Sequence, residues 1–423
     1  MKKIKTNVNR RSFLKMVAAG TCGAACHTVW RPFGNDAYAI GGSAPGPVKN
    51  FIEIFMYGGC CTQGMSPVFN AGAQARYPTL YRTPQQAAAI PGSSAIGLHT
   101  GFTSMVTEAN RDGSHVALVV GTGHPTNFSR SHDIAQQTNE RLAYNANLAS
   151  GIGVGAAIAQ QINDPLSLIV FGGDSEFSQG GSIPPRAVGS LADGKASFWM
   201  HEGYELTEGM IRSSMNLSSP AQQYVQQSID SMNTNLAQLQ TISQLNPGGA
   251  FPNTGIGNNL KDIARLIMAQ VGGVFFVPYG GFDTHSDEAS QHNTLFTNLG
   301  NALAQLIIAL KAMPGRAAAN AWLETAIVFR TDFGRTWENN AKGTDHGHAY
   351  NQIVLGGRVI GGVKGEVPSV AQYQNATQDY MGTSFVQFNA MQPTKEIAQM
   401  MGLNVSSWPA FPGNVFAPIG IIA

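Results

Sequence analysis

Five short apolar runs constrain the fold of this chain more than any other feature of its sequence. Each run is nearly continuous in aliphatic and aromatic residues, whereas a strand with one face in water alternates apolar with polar residues. Continuous runs of this length are typical of strands that are covered on both faces, as in a parallel sheet. We therefore predict five strands of one mostly parallel sheet. The runs are residues 51–57, 116–120, 166–171, 273–277 and 325–329.

Helical patterns lie between these runs. Apolar residues recur there at three- and four-residue spacing, which is the periodicity of a helix with one buried face. Strand followed by helix, several times over, predicts an α/β sandwich. We expect a single domain over residues 40–423, in which the Gly- and Ser-rich residues 172–214 form an excursion and not a linker. The predicted helices cover residues 152–162, 221–242, 260–270 and 295–313.

The N-terminus has the charged, apolar and small-residue order of a secretory signal. Arg10 and Arg11 precede Ser-Phe-Leu-Lys, and the pair indicates the twin-arginine export route. The apolar run that follows, residues 16–25, is too short to span a membrane, which takes about 20 apolar residues. We expect a signal peptide over residues 1–39 with cleavage after Ala39. An uncleaved N-terminal anchor is the alternative.

The charge of the chain argues against a nucleic-acid partner. The formal net charge is +1, and residues 1–39 hold seven basic residues and one acid, a net of +6. The rest of the chain therefore carries 1 − 6 = −5, which gives a nucleic acid no electrostatic support. We also predict that no segment after the signal is long and apolar enough to span a membrane.

Carboxylates and imidazoles follow the predicted strands and cluster downstream of them. Because the carboxyl ends of parallel strands share one edge of a sheet, we expect these side chains to meet there. Carboxylate oxygens with imidazole nitrogens suit divalent ions, which polarise phosphoryl or sulfuryl groups and lower the pKa of water. The sequence therefore predicts a divalent metal, Zn, Mn or Ca. The alternative is that these side chains cap helices and hydrogen-bond loops. The candidate ligands are Asp283, His285, Asp332, Asp345, His346 and His348.

Three further residues are candidates for catalysis. Ser131 is a candidate nucleophile because His132 and Asp133 follow it directly. A serine that caps the helix beginning near Asp133 is the alternative. Arg335 could clamp an anionic group in a bidentate manner, or form a salt bridge to a nearby carboxylate.

Cys60 and Cys61 are the two cysteines that lie beyond the predicted signal. An adjacent pair could form a vicinal disulfide or a soft metal site. We favour a small buried pair, since buried thiols are the usual state of free cysteine.

Several motifs resemble those of the domain-of-unknown-function family 1501. They are residues 280–285, 331–336, 343–347 and 354–357. Members of that family are commonly exported by the twin-arginine route, and the family is similar to the alkaline phosphatase and sulfatase superfamily. The resemblance implies a three-layer α/β/α sandwich with a mostly parallel central sheet. It also implies metal-assisted hydrolysis or transfer of a phosphate or sulfate ester. In the resemblance, the metal-ligand loops hold Asp283, His285, Asp332 and either His346 or His348.

One position departs from the superfamily, which places an acidic ligand just after the first strand. Residues 60–65 contain no acid here.

Three hypotheses for the function follow from the sequence. The first is a periplasmic or secreted metal-dependent hydrolase of a small anionic ester, with the twin-arginine translocase as its export partner. The second is a non-catalytic binding or assembly factor on a degenerate hydrolase scaffold. The third, ranked last, is a redox protein that uses Cys60 and Cys61.

Overall fold

The computed structural model describes residues 43–124, 129–142, 151–164, 166–172, 175–183, 185–191, 241–375, 385–406, 408 and 418–422. The signal predicted over residues 1–39 lies outside this range. So does most of the helix predicted over residues 221–242, although residues 241–243 are helical. The candidate site residues named from the sequence all lie inside it.

A nine-stranded sheet forms the centre of the fold. Its order is β12-β4-β11-β8-β1-β7-β5-β6, and β13 also pairs with β4. Four further strands form two small antiparallel pairs, β2 with β3 and β9 with β10. The strands are β1 (Asn50–Met56), β2 (Ala87–Ala89), β3 (Gly97–His99), β4 (Val116–Gly123), β5 (Leu168–Phe171), β6 (Arg186–Val188), β7 (Val274–Tyr279), β8 (Thr325–Thr331), β9 (Arg335–Glu338), β10 (Thr344–His346), β11 (Tyr350–Gly356), β12 (Gly362–Lys364) and β13 (Phe388–Asn389).

The strands of the large sheet run parallel with one exception. The central strand β1 pairs in parallel with β7 on one side and with β8 on the other. Only β11, among the described strands of this sheet, runs the other way, because it is antiparallel to both of its neighbours β4 and β8. The prediction of a mixed α/β fold with a mostly parallel central sheet is therefore confirmed.

Each face of the sheet has its own apolar core. Ile52 and Ile54 of β1 pack into a core that also holds Leu260 and Leu306. Phe51 and the other residues that point the opposite way pack into a second core. Alternate residues of one strand are thus buried on opposite faces, which explains why the runs in the sequence are continuous in apolar residues.

Helices cover both faces. Residues of α6 and α7 line the first core, and residues of α5 and α9 line the second. Thr254 caps the N-terminus of the helix Gly255–Met268, because its side chain accepts a hydrogen bond from the backbone of Gly257. The helices are α1 (Thr62–Met65), α2 (Ala71–Arg76), α3 (Thr103–Ala109), α4 (His132–Glu140), α5 (Val154–Ile162), α6 (Gly255–Met268), α7 (Glu288–Ala312), α8 (Val370–Asn375) and α9 (Gln392–Met400).

The helix α7 corrects one expectation from the sequence. Its 25 residues are long and apolar enough, by length and composition, to cross a membrane. The prediction that no segment after the signal would meet that criterion was therefore wrong. Leu299, Leu303 and Leu310 of this helix are fully buried in the first core. A core helix with such a broad apolar face passes the same test as a membrane span.

Candidate metal centre

The candidate site lies at the edge of the sheet where the parallel strands end. Asp283 follows β7, and Asp332 directly follows β8. His132 is the first residue of α4, the next described helix after β4. His346 ends β10, where the antiparallel pairing places it opposite Arg335 of β9. Four separate parts of the chain thus meet at one edge, as the strand-end argument predicted.

The carboxylate of Asp283 is the centre of this cluster. Its Oδ1 lies 2.9 Å from His285 Nε2 and 3.1 Å from His346 Nε2. Its Oδ2 lies 3.6 Å from His132 Nε2. Three imidazoles therefore turn the same ring nitrogen, Nε2, towards one carboxylate.

The other ring nitrogen of each imidazole, Nδ1, contacts an oxygen atom of a second residue. His132 Nδ1 lies 2.7 Å from Asp332 Oδ2, and His285 Nδ1 lies 2.9 Å from Asp345 Oδ1. His346 Nδ1 lies 2.7 Å from the backbone carbonyl oxygen of Arg130. A carboxylate or carbonyl oxygen behind Nδ1 accepts a hydrogen bond from that nitrogen, so Nε2 would offer its lone pair to a metal that displaces the Nε2 proton. Metal-binding histidines show this arrangement almost always.

His132, Asp283 and His346 fit a divalent ion. One ligand atom from each residue lies within 4.8 Å of the other two. His285 adds a third imidazole on the same carboxylate oxygen as His346. Imidazole nitrogens with one carboxylate oxygen are a donor set for zinc and similar transition metals, whereas calcium takes six to eight oxygens. The residues present thus fit a divalent metal ion, as the sequence predicted.

Arg335 is a neighbour of Asp283 and is fully enclosed by protein. Its Nη1 donates to Asp283 Oδ1 at 2.8 Å and to the Gly58 carbonyl at 3.0 Å. Its Nη2 and Nε donate to the carbonyl and the hydroxyl of Thr344. The side chain is completely buried. Of the two expectations for Arg335, the geometry is that of the salt bridge, and it leaves no open fork for a bidentate anion.

The contacts of Asp283 set its charge. Partial burial raises the pKa of this carboxyl, but hydrogen bonds from Arg335 and His346 outweigh it, and the pKa falls to about 2. Asp283 is therefore ionised at any physiological pH. An ionised carboxylate with several imidazoles around it attracts a cation.

Asp332 lies one step behind the cluster. Its Oδ2 accepts hydrogen bonds from the Gly58 backbone at 2.7 Å and from His132. Asn139, near the end of α4, donates to the Asp332 backbone carbonyl at 2.5 Å. Burial raises the pKa of Asp332, although the bond with His132 opposes that change. In this arrangement Asp332 orients His132, and its assignment as a direct ligand stays a prediction.

The remaining candidates lie around the cluster. Ser131 is exposed and occupies the N-cap position of α4, but its side chain makes no capping hydrogen bond. Asp345 is exposed and contacts His285. His348 lines a small cavity together with Ser129 and Asp332. Their roles as nucleophile and ligands stay predictions.

Cys60 and Cys61 are free thiols and fully or almost fully buried. Burial raises the pKa of both thiols well above the usual range. The buried pair favoured from the sequence is what the structure contains, and a protonated, enclosed thiol is a poor nucleophile and a poor metal ligand.

One residue of the site escaped the sequence analysis, and another was given a different role. His132 was named as a catalytic candidate beside Ser131, and in the structure its Nε2 belongs to the group of possible metal ligands. Asn139 was not considered at all. The spacing of His132 and Asn139 by seven residues, two helical turns, places both on one face of α4, and this was the only signal in the sequence.

Comparison with known proteins supports the resemblance noted above. The family described as "Protein of unknown function (DUF1501)" matches residues 211–402, which include Asp283, Asp332 and His346. Among curated proteins, none matches the chain.

Two solved structures are similar to this chain at low scores. The PsFucS1 sulfatase from Pseudoalteromonas sp. has a TM-score of 0.38 and 9% identity, over 98% of this chain and 78% of that chain. The integral membrane protein lipooligosaccharide phosphoethanolamine transferase A (EptA) from Neisseria meningitidis has a TM-score of 0.35 and 8% identity. That match covers 92% of this chain and 61% of the transferase.

Proposed function

We propose that this protein is an exported, metal-dependent hydrolase of a phosphate or sulfate ester. One observation carries the proposal. Three imidazoles direct Nε2 at a single ionised carboxylate, and each has its Nδ1 fixed by a second partner. Such an arrangement serves metal binding, since a salt-bridge cluster has no need to fix every ring nitrogen.

Asp283, His132 and His346 would hold the metal, with His285 as a further donor. A bound zinc-like ion supplies a Lewis acid for an ester oxygen and lowers the pKa of water towards 7. Asp332 keeps His132 in the tautomer that presents Nε2. Arg335 anchors Asp283 and positions it, and does not meet the substrate.

Ser131 remains the candidate nucleophile. Ser131 is an exposed residue next to His132, and it occupies the N-cap position of α4, where the helix dipole favours a negative charge. An anionic ester would therefore approach from the side of Ser131.

Export by the twin-arginine translocase is a second part of the proposal. It is supported by Arg10 and Arg11 and by the order of charged, apolar and small residues over residues 1–39. A mature protein in the periplasm or outside the cell follows from it.

A non-catalytic binding factor is the second candidate. Two observations favour it. The guanidinium of Arg335 is occupied by protein partners. Residues 60–65, which follow the first strand, contain no acid. A site that binds a metal but lacks an anion clamp would then serve recognition on a hydrolase-like scaffold.

The test begins with elemental analysis of the exported protein, purified without a metal-binding tag. We expect about one equivalent of a zinc-like ion per chain, and loss of that ion in Asp283→Ala. Loaded protein is then assayed on phosphate and sulfate esters. Metal uptake without turnover of any ester would favour the binding factor. A wild-type protein that takes up no metal would overturn both candidates.

A further inference from the structure

Glu288 is a buried carboxylate beneath the candidate metal centre. It is the first residue of α7, and its side chain is fully buried. A fully buried carboxylate is costly to maintain, so its partners indicate what it holds in place. Its side-chain partners are the Thr344 hydroxyl, described next, and His292 Nε2, which lies 3.2 Å from Glu288 Oε1 one turn along α7.

A continuous set of hydrogen bonds joins Glu288 to Asp283. Glu288 Oε2 accepts from the Thr344 hydroxyl at 2.8 Å. The same hydroxyl accepts from Arg335 Nε at 3.2 Å, and Arg335 Nη1 donates to Asp283 Oδ1 at 2.8 Å. The Thr344 hydroxyl has one proton, and donating it to Glu288 leaves its lone pairs for Arg335. Arg335 can only donate, so the Thr344 hydroxyl accepts from it and gives its own proton to Glu288.

Thr344 also connects the two segments that carry ligands. Its backbone N–H donates to the Thr284 carbonyl at 3.1 Å, between Asp283 and His285. His346 lies two residues further along the same strand, β10. Thr344 is therefore placed to set the separation of the 283–285 segment from His346.

Glu288 also affects the charge balance around Arg335. A dication bound at Asp283 would lie close to the guanidinium that donates to the same carboxylate, and like charges repel. Glu288, which the Thr344 hydroxyl joins to Arg335, would offset that repulsion in its ionised form; burial raises its pKa to about 7. Glu288 itself is fully buried and is not one of the possible metal ligands His132, Asp283 and His346.

We propose that Glu288 is a positioning residue for the metal centre, acting through Thr344 and Arg335 on Asp283. The inference rests on the metal site of the proposed function. Residues behind the ligands of a metal typically change metal affinity by about 10–100-fold when they are replaced. We expect a loss in that range for Glu288→Gln, whose amide cannot offset a dication.

Thr344 provides a matched pair of variants. Thr344→Val removes the hydroxyl at nearly constant shape, whereas Thr344→Ser keeps it. We expect Thr344→Val to lose metal affinity about as much as Glu288→Gln, about 10-fold or more, and Thr344→Ser to retain it. Zn²⁺ affinity is measured on the full chain by competition with a chromophoric chelator. Co²⁺ absorption reports the ligand geometry, and thermal unfolding of the metal-free variants separates misfolding from mispositioning.

The outcomes are distinct. Weaker Zn²⁺ binding and an altered Co²⁺ spectrum in Glu288→Gln and Thr344→Val, rescued in Thr344→Ser, support the role. Wild-type affinity and spectrum in both of the first two variants overturn it and leave the metal site standing. A fall in Zn²⁺ affinity that only follows the loss of thermal stability also overturns the role and leaves the metal site standing. Absence of Zn²⁺ binding in the wild type overturns the proposed function and this inference together.

Discussion

His132 Nδ1 and Asp332 Oδ2 lie 2.7 Å apart, in a pair that joins the start of α4 to the end of β8. The two residues are far apart in the sequence, and the pair fixes the direction in which the imidazole points. Asp332 has a second hold on the site, because its Oδ2 also accepts from the Gly58 backbone. The carboxylate thus holds the His132 ring in place through its Nδ1.

Replacement of Asp332 by Asn tests whether this carboxylate orients a ligand or is one. If it orients His132, Asp332→Asn should weaken Zn²⁺ binding by about 10–100-fold while a full equivalent still binds at saturation. A direct ligand would instead reduce the stoichiometry. Isothermal titration with Zn²⁺ measures both quantities in one experiment.

The imidazoles should differ in importance. His346 and His132 belong to the compact group with Asp283, whereas His285 is about half exposed. We expect His346→Ala to abolish Zn²⁺ retention through gel filtration, and His285→Ala to retain metal with lower affinity. Equal loss in both variants would show that His285 is a full member of the ligand set. His115→Ala, outside the site, serves as the control.

Gly58 should resist substitution. Its φ is +117°, and an added Cβ would lie 2.2 Å from the Asp283 backbone nitrogen. Backbone strain of this kind costs about 1–3 kcal/mol, so Gly58→Ala should lower the free energy of unfolding by at least that much. Urea denaturation of the metal-free protein measures it. Gly280→Ala is the matched control in a neighbouring loop, since nothing lies within 4 Å of its added Cβ.

Stability should fall as the solution is acidified below pH 6.5. Burial lowers the pKa of His99 to about 4, although a hydrogen bond with Asn293 opposes this. The folded state keeps His99 neutral, while the unfolded chain binds a proton at the ordinary pKa of about 6.5. The contribution is thus complete above pH 6.5 and is lost as the pH falls towards 4.

The slope from one such group is at most about 1.4 kcal/mol per pH unit. His99→Gln should give a flatter dependence of the free energy of unfolding between pH 6.5 and 4, measured by urea denaturation with chelator present. Parallel curves for wild type and variant would contradict the assignment.

Export should depend on the arginine pair. Replacing Arg10 and Arg11 by Lys keeps the charge of the segment but removes the twin-arginine signal. In a bacterial host with that translocase, we expect the double variant to remain in the cytoplasmic fraction while the wild type reaches the periplasm. Lys3→Arg, which also keeps the charge, should export normally.

The parallel strands were predictable because a strand that is buried on both faces is a nearly continuous apolar run in the sequence. All five apolar runs coincide with β1, β4, β5, β7 and β8 to within a few residues. The strand β11 was missed, although its residues Ile353, Val354 and Leu355 are equally apolar. Nothing local in the sequence specifies that this strand runs against its neighbours β4 and β8.

The sequence predicted the type of site, a cluster of possible metal ligands, but not how its residues contact one another. Asp283 and His346 were found from residue type and position after strands, which together suit metal binding. The roles of His132 and Arg335 depended on which neighbours fold against them. Arg335 contacts the Gly58 carbonyl across the sheet edge, and a sequence cannot reveal a contact between residues 277 positions apart. Long-range packing, and not local propensity, decided these roles.

The place of β11 in the sheet has a consequence for synthesis of the chain. The strands β4 and β8 are not neighbours, because β11 lies between them and pairs with both. Until residues 350–356 have left the ribosome, the β4 end of the sheet, which leads to His132, has no partner on the side of Asp332. A nascent chain that stops before residue 350 would thus leave both edges of β4 and one edge of β8 unpaired, and unpaired strand edges invite aggregation. Proteolytic surveillance of truncated products should therefore recognise such chains readily.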